Sequence, residues 1–268
     1  MKERLWNYIS GVRSTSPLVH SITNYVVMNN TANALLAAGA SPIMAHAHAE
    51  MNDMVSIAGA LVVNIGTLDE YWVESMHIAI RQAELLGKPW ILDPVGAGAS
   101  VYRNTVLQEL TTAFRPAVIR GNASEIMALA RMNTRTKGVD STNKTEEAVA
   151  AAVMLSRNTG AVVCVSGATD VIIHGEKVIS LNNGDPLMAQ VTGMGCTATA
   201  LIGACCAVFP QNIVESTVAA MALMGVVGEK AAKLSAGPGS LQMNFLDVLA
   251  NLREEDFAAH LQLEESHV

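Results

Sequence analysis

Short apolar runs rich in β-branched residues alternate along the chain with longer stretches of helical periodicity. Residues 60–66 (ALVVNIG), 89–94 (PWILDP), 116–122 (PAVIRGN) and 161–167 (AVVCVSG) each read as a strand closed by a Gly, Pro or Asn turn signal. A helix-like segment follows each of them. The runs do not alternate strictly between apolar and polar positions, which is the pattern of strands covered on both faces. Their repetition predicts a mostly parallel sheet flanked by helices. Residues 170–175 (DVIIHG) and 177–183 (KVISLNN) lie one residue apart and read as a hairpin at one edge. Beyond residue 195 the pattern is nearly all helical, and the terminal LEESHV reads as a loose end. With no linker, low-complexity tract or internal repeat, residues 1–268 are expected to form one domain. Ligands of such sheets sit beyond the C-terminal strand ends. The loops beginning near Asp93, Arg120, Ser166 and Gly193 are therefore the places to look for chemistry.

Composition narrows the function classes. Half of the residues are hydrophobic, only 15% are charged, and the mean hydropathy is +0.30. Apolar surface in excess of what one core can bury points to an oligomer. A net charge of −7, with no block of Lys or Arg, argues against nucleic acid as a partner. Residues 14–49 and 186–214 contain no Asp, Glu, Lys or Arg. Prolines, asparagines, threonines and glycines interrupt both runs, so neither supplies the roughly 18 continuous apolar residues of a membrane span. They read instead as buried segments decorated with polar groups, the composition of a ligand site. MKERLWNYIS lacks the apolar centre of a signal peptide. Cys164, Cys196, Cys205 and Cys206 show neither zinc spacing nor a disulfide framework, which fits a reducing cytoplasm.

The chemistry-bearing motifs fall at the strand ends. A P-loop is absent, since Gly87-Lys88 is followed by proline. VTGMGCTATA (191–200) matches the permissive GxGxxA dinucleotide pattern, with Glu215 at a distance suited to a ribose contact, but DPLMAQVT before it is a poor strand. The stronger reading is an anion hole, in which two glycines admit close backbone approach and the next helix presents free N–H groups. Cys196 in that first turn could be a nucleophile, a base, a ligand or a small packing residue, and the helix dipole there favours thiolate. In ILDPVGAGAS (91–100), Asp93 could hold Mg²⁺ or its water shell, or cap a turn. In IRGNASEIMAL (119–129), Asn122 and Glu125 have the spacing of a capping box. Taken with Asp93, Glu125 could instead complete an acidic magnesium site, and Arg120 could meet phosphates. His46 and His48 would share a face on a strand, but no third metal ligand accompanies them. Met44 offers a soft contact for an apolar pocket. Residues 19–36, VHSITNYVVMNNTANALL, are Asn-rich for a helix-forming region, so their amides could line a cleft or cap helices.

In this order, VHSITNYV, SPIMAHAHAEM, ILDPVGAGA, IRGNASEI and VTGMGC closely resemble the hydroxyethylthiazole kinase family of thiazole salvage in thiamine biosynthesis. The resemblance spans nearly the whole chain and thins after about residue 235. Five ordered motifs make it specific; no single one would. It implies a ribokinase-like three-layer α/β/α sandwich with a mostly parallel central sheet. It implies ATP- and Mg²⁺-dependent phosphorylation of the primary hydroxyl of 4-methyl-5-(2-hydroxyethyl)thiazole, and a homotrimer with sites built between subunits. Position by position, Met44 and Gly193 match thiazole contacts, and Arg120 and Ser166 match ATP contacts, the latter often Thr in the family. Asp93 and Glu125 match the acidic magnesium and phosphate residues. Cys196 stands where most ribokinase-like kinases carry an aspartate base. Met194 departs from the Thr common between the glycines. The rival readings are a hydroxymethylpyrimidine or pyridoxal kinase, a nucleotide-dependent NAD(P)H-hydrate dehydratase on the same fold, and a catalytically silent binding protein.

Overall fold

All four runs read as strands form where their patterns place them. The computed structural model describes residues 2–133 and 144–267. Within them run β1 (Leu18–Ile22), β2 (Ser41–Ile43), β3 (Ala60–Asn64), β4 (Trp90–Asp93) and β5 (Val118–Asn122). These are followed by β6 (Val162–Ser166), β7 (Asp170–His174), β8 (Lys177–Leu181) and β9 (Leu263–His267). They join into one sheet of order β2-β1-β3-β4-β5-β6-β7-β8-β9. Pairing is parallel from β2 to β6 and antiparallel from β6 to β9.

The helices are α1 (Lys2–Thr15), α2 (Met28–Ala38), α3 (Met51–Ile57), α4 (Glu70–Leu85), α5 (Val101–Ala113) and α6 (Ala123–Met132). After them come α7 (Lys144–Thr159), α8 (Met194–Val208), α9 (Ile213–Lys233), α10 (Pro238–Asn251) and α11 (Glu254–His260). Because strand side chains alternate between faces, each strand feeds two cores. Ala60 and Val62 join Leu35, Leu201, Val227 and Phe245 on the face covered by α1, α2 and α8–α11. Leu61 and Val63 join Val55, Trp72, Leu110 and Ile126 under α3–α7. The result is a three-layer α/β/α sandwich. Helix α8 is buried almost all round and lies against the sheet, where a Cβ on Gly203 would stand 2.7 Å from Val62.

Two readings of the pattern are corrected, at β1 and at the C-terminal end. Residues 18–22 and 41–43 are strands, whereas the sequence pattern places the first in a helix-forming region. Buried His20 and Ser21 disguise β1, since its polar residues do not face water. His46 and His48 lie beyond β2, and their rings stack on Trp72 and Tyr71 with centroids 4.9 and 3.9 Å apart. Among the described residues no group of three His, Cys, Asp or Glu could hold a metal. The second correction concerns LEESHV: Leu263–His267 is the edge strand β9, which covers the β7–β8 hairpin and displaces it from the edge. No described helix is long and apolar enough to cross a membrane.

Candidate active site

The parallel strands all point the same way, so their C-terminal residues assemble along one rim. Asn64 ends β3 and pairs in register with Asp93, which ends β4. Arg120 lies within β5, whose Asn122 pairs with Ser166 at the end of β6. The first turn of α8 crosses this rim. Gly193 enters it at φ +87°, a left-handed conformation that favours glycine, and a Cβ there would lie 2.8 Å from Val27 Cγ1. No side chain caps α8, so the first-turn N–H groups from Met194 to Cys196 lack protein acceptors of the usual capping kind.

Arg120 lies flat against that turn. Its Nη1 is 2.5 Å from where a Cβ on Gly195 would stand, so the missing side chain is what lets the guanidinium approach. Arg120 Nη2 donates to Ser166 Oγ at 2.6 Å, and Ser166 donates onward to Gly121 O at 3.2 Å. Arg120 Nε is buried and has no hydrogen-bond partner among the described residues. Positive charge and the N–H groups of an uncapped helix start thus stand together over the strand ends, an arrangement chemically suited to an anion.

The turn has two unlike sides. On one, Arg120, Ser166, Asp170, Asn183, Met194 and Met224 help line a cavity of about 530 Å³, a size suited to a small organic ligand. Met194 forms part of that wall. Burial pushes the Asp170 carboxyl up to about 6, against the pull of the Gly167 N–H and Arg120. On the other side stands half-buried Cys196, whose Sγ accepts from Asn64 Nδ2 at 3.3 Å and Asn24 Nδ2 at 3.5 Å. Asn64 Nδ2 also donates to Asp93 Oδ2 at 2.7 Å, and Thr199 Oγ1 donates to the same oxygen at 2.9 Å.

Charge is expensive on this side. Burial first pushes Asp93 up to about 6, opposed by Arg120 and by the Thr199 and Asn64 hydrogen bonds, while Glu125 pushes it further up. Burial, and then the charge of Asp93, push the Cys196 thiol up to about 11. The amide donors and Arg120 pull back without overcoming them. The thiolate expected from the helix dipole is therefore not the favoured form at neutral pH.

Glu125 forms the capping box that its spacing suggests. Its Oε2 accepts from Asn122 N at 2.9 Å, and Asn122 Oδ1 accepts from Glu125 N at 3.0 Å. Glu125 Oε1 also accepts from Gly96 N at 2.9 Å, tying α6 to the loop after Asp93. Met44 is half-buried just past β2, one strand beyond the β1 end that carries Asn24. The cluster therefore joins Asp93, Arg120, Ser166 and Gly193–Cys196, keeps Glu125 beside it, and leaves Met44 on the outer flank. Sequence reasoning missed Asn64, Thr199 and Arg103. Arg103 bonds Ile65 O, Gly66 O and, at 2.8 Å, Val95 O, and so pins the loops after β3 and β4 together. Nothing in its local pattern marks that role. Asn24 and Asn64 did carry a signal, as amides where helix or turn residues were expected.

Comparison with known proteins gives the family and the fold. A sequence profile described as "Hydroxyethylthiazole kinase family" matches residues 9–255. A hydroxyethylthiazole kinase of Syntrophus aciditrophicus is 52% identical over 262 residues, covering 97% of each chain. The solved structure of a hydroxyethylthiazole kinase protein from Pyrococcus horikoshii OT3 superposes with a TM-score of 0.91 at 39% identity, over 98% of this chain and 99% of that one. A ribokinase-like superfamily protein from Enterococcus faecalis, 15% identical, covers 96% of this chain and 95% of its own with a TM-score of 0.67, which shows the shared fold alone. With five ordered motifs, a profile match across most of its length and a relative at half identity, this chain belongs to the hydroxyethylthiazole kinase family.

Proposed function

We propose that the chain phosphorylates the primary hydroxyl of 4-methyl-5-(2-hydroxyethyl)thiazole with ATP, the thiazole-salvage step of thiamine biosynthesis. It does so as one kinase domain, in the cytoplasm, where its four free cysteines fit a reducing milieu. The observation that carries this reading is the first turn of α8, uncapped and backed by Arg120, between a ligand-sized cavity and Cys196. ATP occupies the cavity, with its phosphates toward Arg120 and Ser166. The alcohol approaches from the Cys196 side, with the thiazole between Met44 and the Gly193 backbone. Phosphoryl transfer passes through a loose transition state, so positioning and charge neutralisation dominate. The N–H groups of Met194, Gly195 and Cys196 receive the equatorial oxygens, and Arg120 adds positive charge. Cys196, a thiol at neutral pH whose sulfur already carries its proton, orients the alcohol, and the alcohol's proton leaves late, to an oxygen of the transferred phosphoryl group or to water.

The acidic pair also fits a hard cation. Asp93 presents a carboxylate, the oxygen ligand a hard cation prefers, whose Oδ2 accepts from Asn64 Nδ2 and Thr199 Oγ1. Both Glu125 oxygens accept backbone N–H groups, so Asp93 would hold Mg²⁺ and Glu125 would add charge from its cap. Such an ion, when bound, would supply charge neutralisation for the phosphates. We also place the active protein in a homotrimer. Tyr25 and Val26, 58% and 66% exposed, directly follow Asn24, so an apolar surface borders the acceptor side.

The test is ADP release from ATP and Mg²⁺ with the hydroxyethylthiazole, hydroxymethylpyrimidine, pyridoxal or a hydrated nicotinamide nucleotide added in turn. Turnover should require the thiazole. Thiazole-independent turnover, or a preference for any other acceptor, overturns the assignment.

A further inference from the structure

We propose that Asn64 is the positioning residue of the reaction, its single carboxamide setting the place of the Cys196 sulfur relative to the Asp93 carboxylate. The inference rests on the reading of Cys196 as the group that meets the substrate alcohol.

Asn64 uses every hydrogen-bonding position it has. Its Oδ1 accepts from Gly66 N at 2.9 Å and from Asn24 Nδ2 at 2.9 Å. Its Nδ2 donates to Asp93 Oδ2 at 2.7 Å and to Cys196 Sγ at 3.3 Å. The orientation of the amide is not ambiguous, because a backbone N–H can only donate, so the atom facing Gly66 is the oxygen. The NH₂ must then face the carboxylate and the sulfur. Asn24 is fixed by the same logic, since only its NH₂ can meet Asn64 Oδ1.

The frame around the amide is rigid. Gly66 has no side chain where one would collide with Asn24, a Cβ there standing 2.6 Å from Nδ2. Arg103 holds the carbonyls of Ile65 and Gly66. Asn64 itself is the last residue of a central strand, in register with Asp93 and 1% exposed. Two donors on Sγ occupy its acceptor side and leave the S–H to turn toward the open side, where the alcohol enters. A displacement of about 1 Å in such a constellation is enough to cost about 10²-fold in rate. Asn64 touches neither the reacting atoms nor the cavity, so its effect on turnover must pass through the two groups it holds.

The experiment is a double-mutant cycle on kcat and KM between Asn64→Asp and Cys196→Ala, repeated with Asn64→Ala. Asn64→Asp keeps an oxygen for Gly66 and Asn24 but exchanges the donors for a charge beside Asp93; Asn64→Ala removes the donors and adds no charge. Thermal melts identify folded variants. Each Asn64 change should lower kcat by about tenfold or more with the thiazole KM within about twofold, and the loss should shrink to under about threefold in the Cys196→Ala background. Losses that simply multiply, or that fall on KM, overturn the assignment and leave the reading of Cys196 standing. Unchanged turnover in Cys196→Ala alone overturns that reading and this inference with it.

Discussion

The two sides of the first turn of α8 are built by opposite means. The cavity side is open and apolar, walled by Met188, Met194, Met221 and Met224, and its volume is left free by the turns that surround it. The thiol side is small, and its side-chain amides and hydroxyl are spent on one another and on Asp93. Flexible thioethers can repack around a changed ligand, whereas a buried polar network loses a partner with every change. A shared ligand with large, varied surface can be met by the first kind of wall. Holding one alcohol in line with a phosphoryl group needs the second.

If this contrast is right, the largest effect lies at Asp93. Asp93→Asn should lower kcat by about 10³-fold and yet stabilise the ligand-free protein at pH 8. The sign follows from its carboxyl being pushed up to about 6 in the folded state. Such a group contributes stability below the unfolded value near 4, and that contribution is lost as pH rises through about 6. The asparagine avoids the loss, so the gain above pH 6 is on the order of 3 kcal/mol and disappears below about pH 4. Thermal melts at the two pH values check this, and a lower melting temperature for the variant at pH 8 would break the comparison.

Next in size is Gly195→Ala. Its Cβ would enter the space of Arg120 Nη1, so kcat/KM for ATP should fall by about 10²-fold. The helix itself favours alanine over glycine by about 1 kcal/mol. Melting should therefore not drop, and a loss of activity that merely tracks unfolding would sink the explanation.

Cys196→Ala should lower kcat by roughly tenfold to 10²-fold, the scale of a lost orienting contact, and raise the thiazole KM less. Cys196→Asp should stay active, because the Asn24 and Asn64 donors already aim at that position and suit a carboxylate. A folded but dead aspartate variant would show that the thiol itself is needed.

The smallest effect belongs to the tolerant side. Met194→Thr should change KM for ATP by no more than about threefold and leave the thiazole KM alone. A larger shift in the thiazole value would mean that Met194 governs the acceptor pocket, and the division between the two sides would have to be redrawn.

Much of this arrangement was legible along the chain. Uninterrupted apolar runs closed by turn residues marked β3, β4, β5 and β6, because strands covered on both faces have no polar side to show. The same ends pointed to Asp93, Arg120 and Ser166, and the paired glycines pointed to the first turn of α8. The NxxE spacing correctly announced the cap at Asn122 and Glu125. What misled was polarity in the wrong place: His20 and Ser21 are buried in β1, and charged Glu264 and Glu265 belong to an edge strand that faces water.

Local pattern thus determined the strand–helix alternation, the glycine turn that opens α8 and the family, since each depends on residues close in sequence. The tertiary structure alone decided the strand order that sets Asn64 beside Asp93, and the contact of Arg120 with Gly195 across 75 residues of chain. It also decided the protonation of Cys196. A helix N-terminus predicts thiolate, but burial and the neighbouring Asp93 charge outweigh the dipole and push the thiol up to about 11. Solvent exclusion and charges brought together from distant segments are properties of the packed chain, and no stretch of sequence carries them.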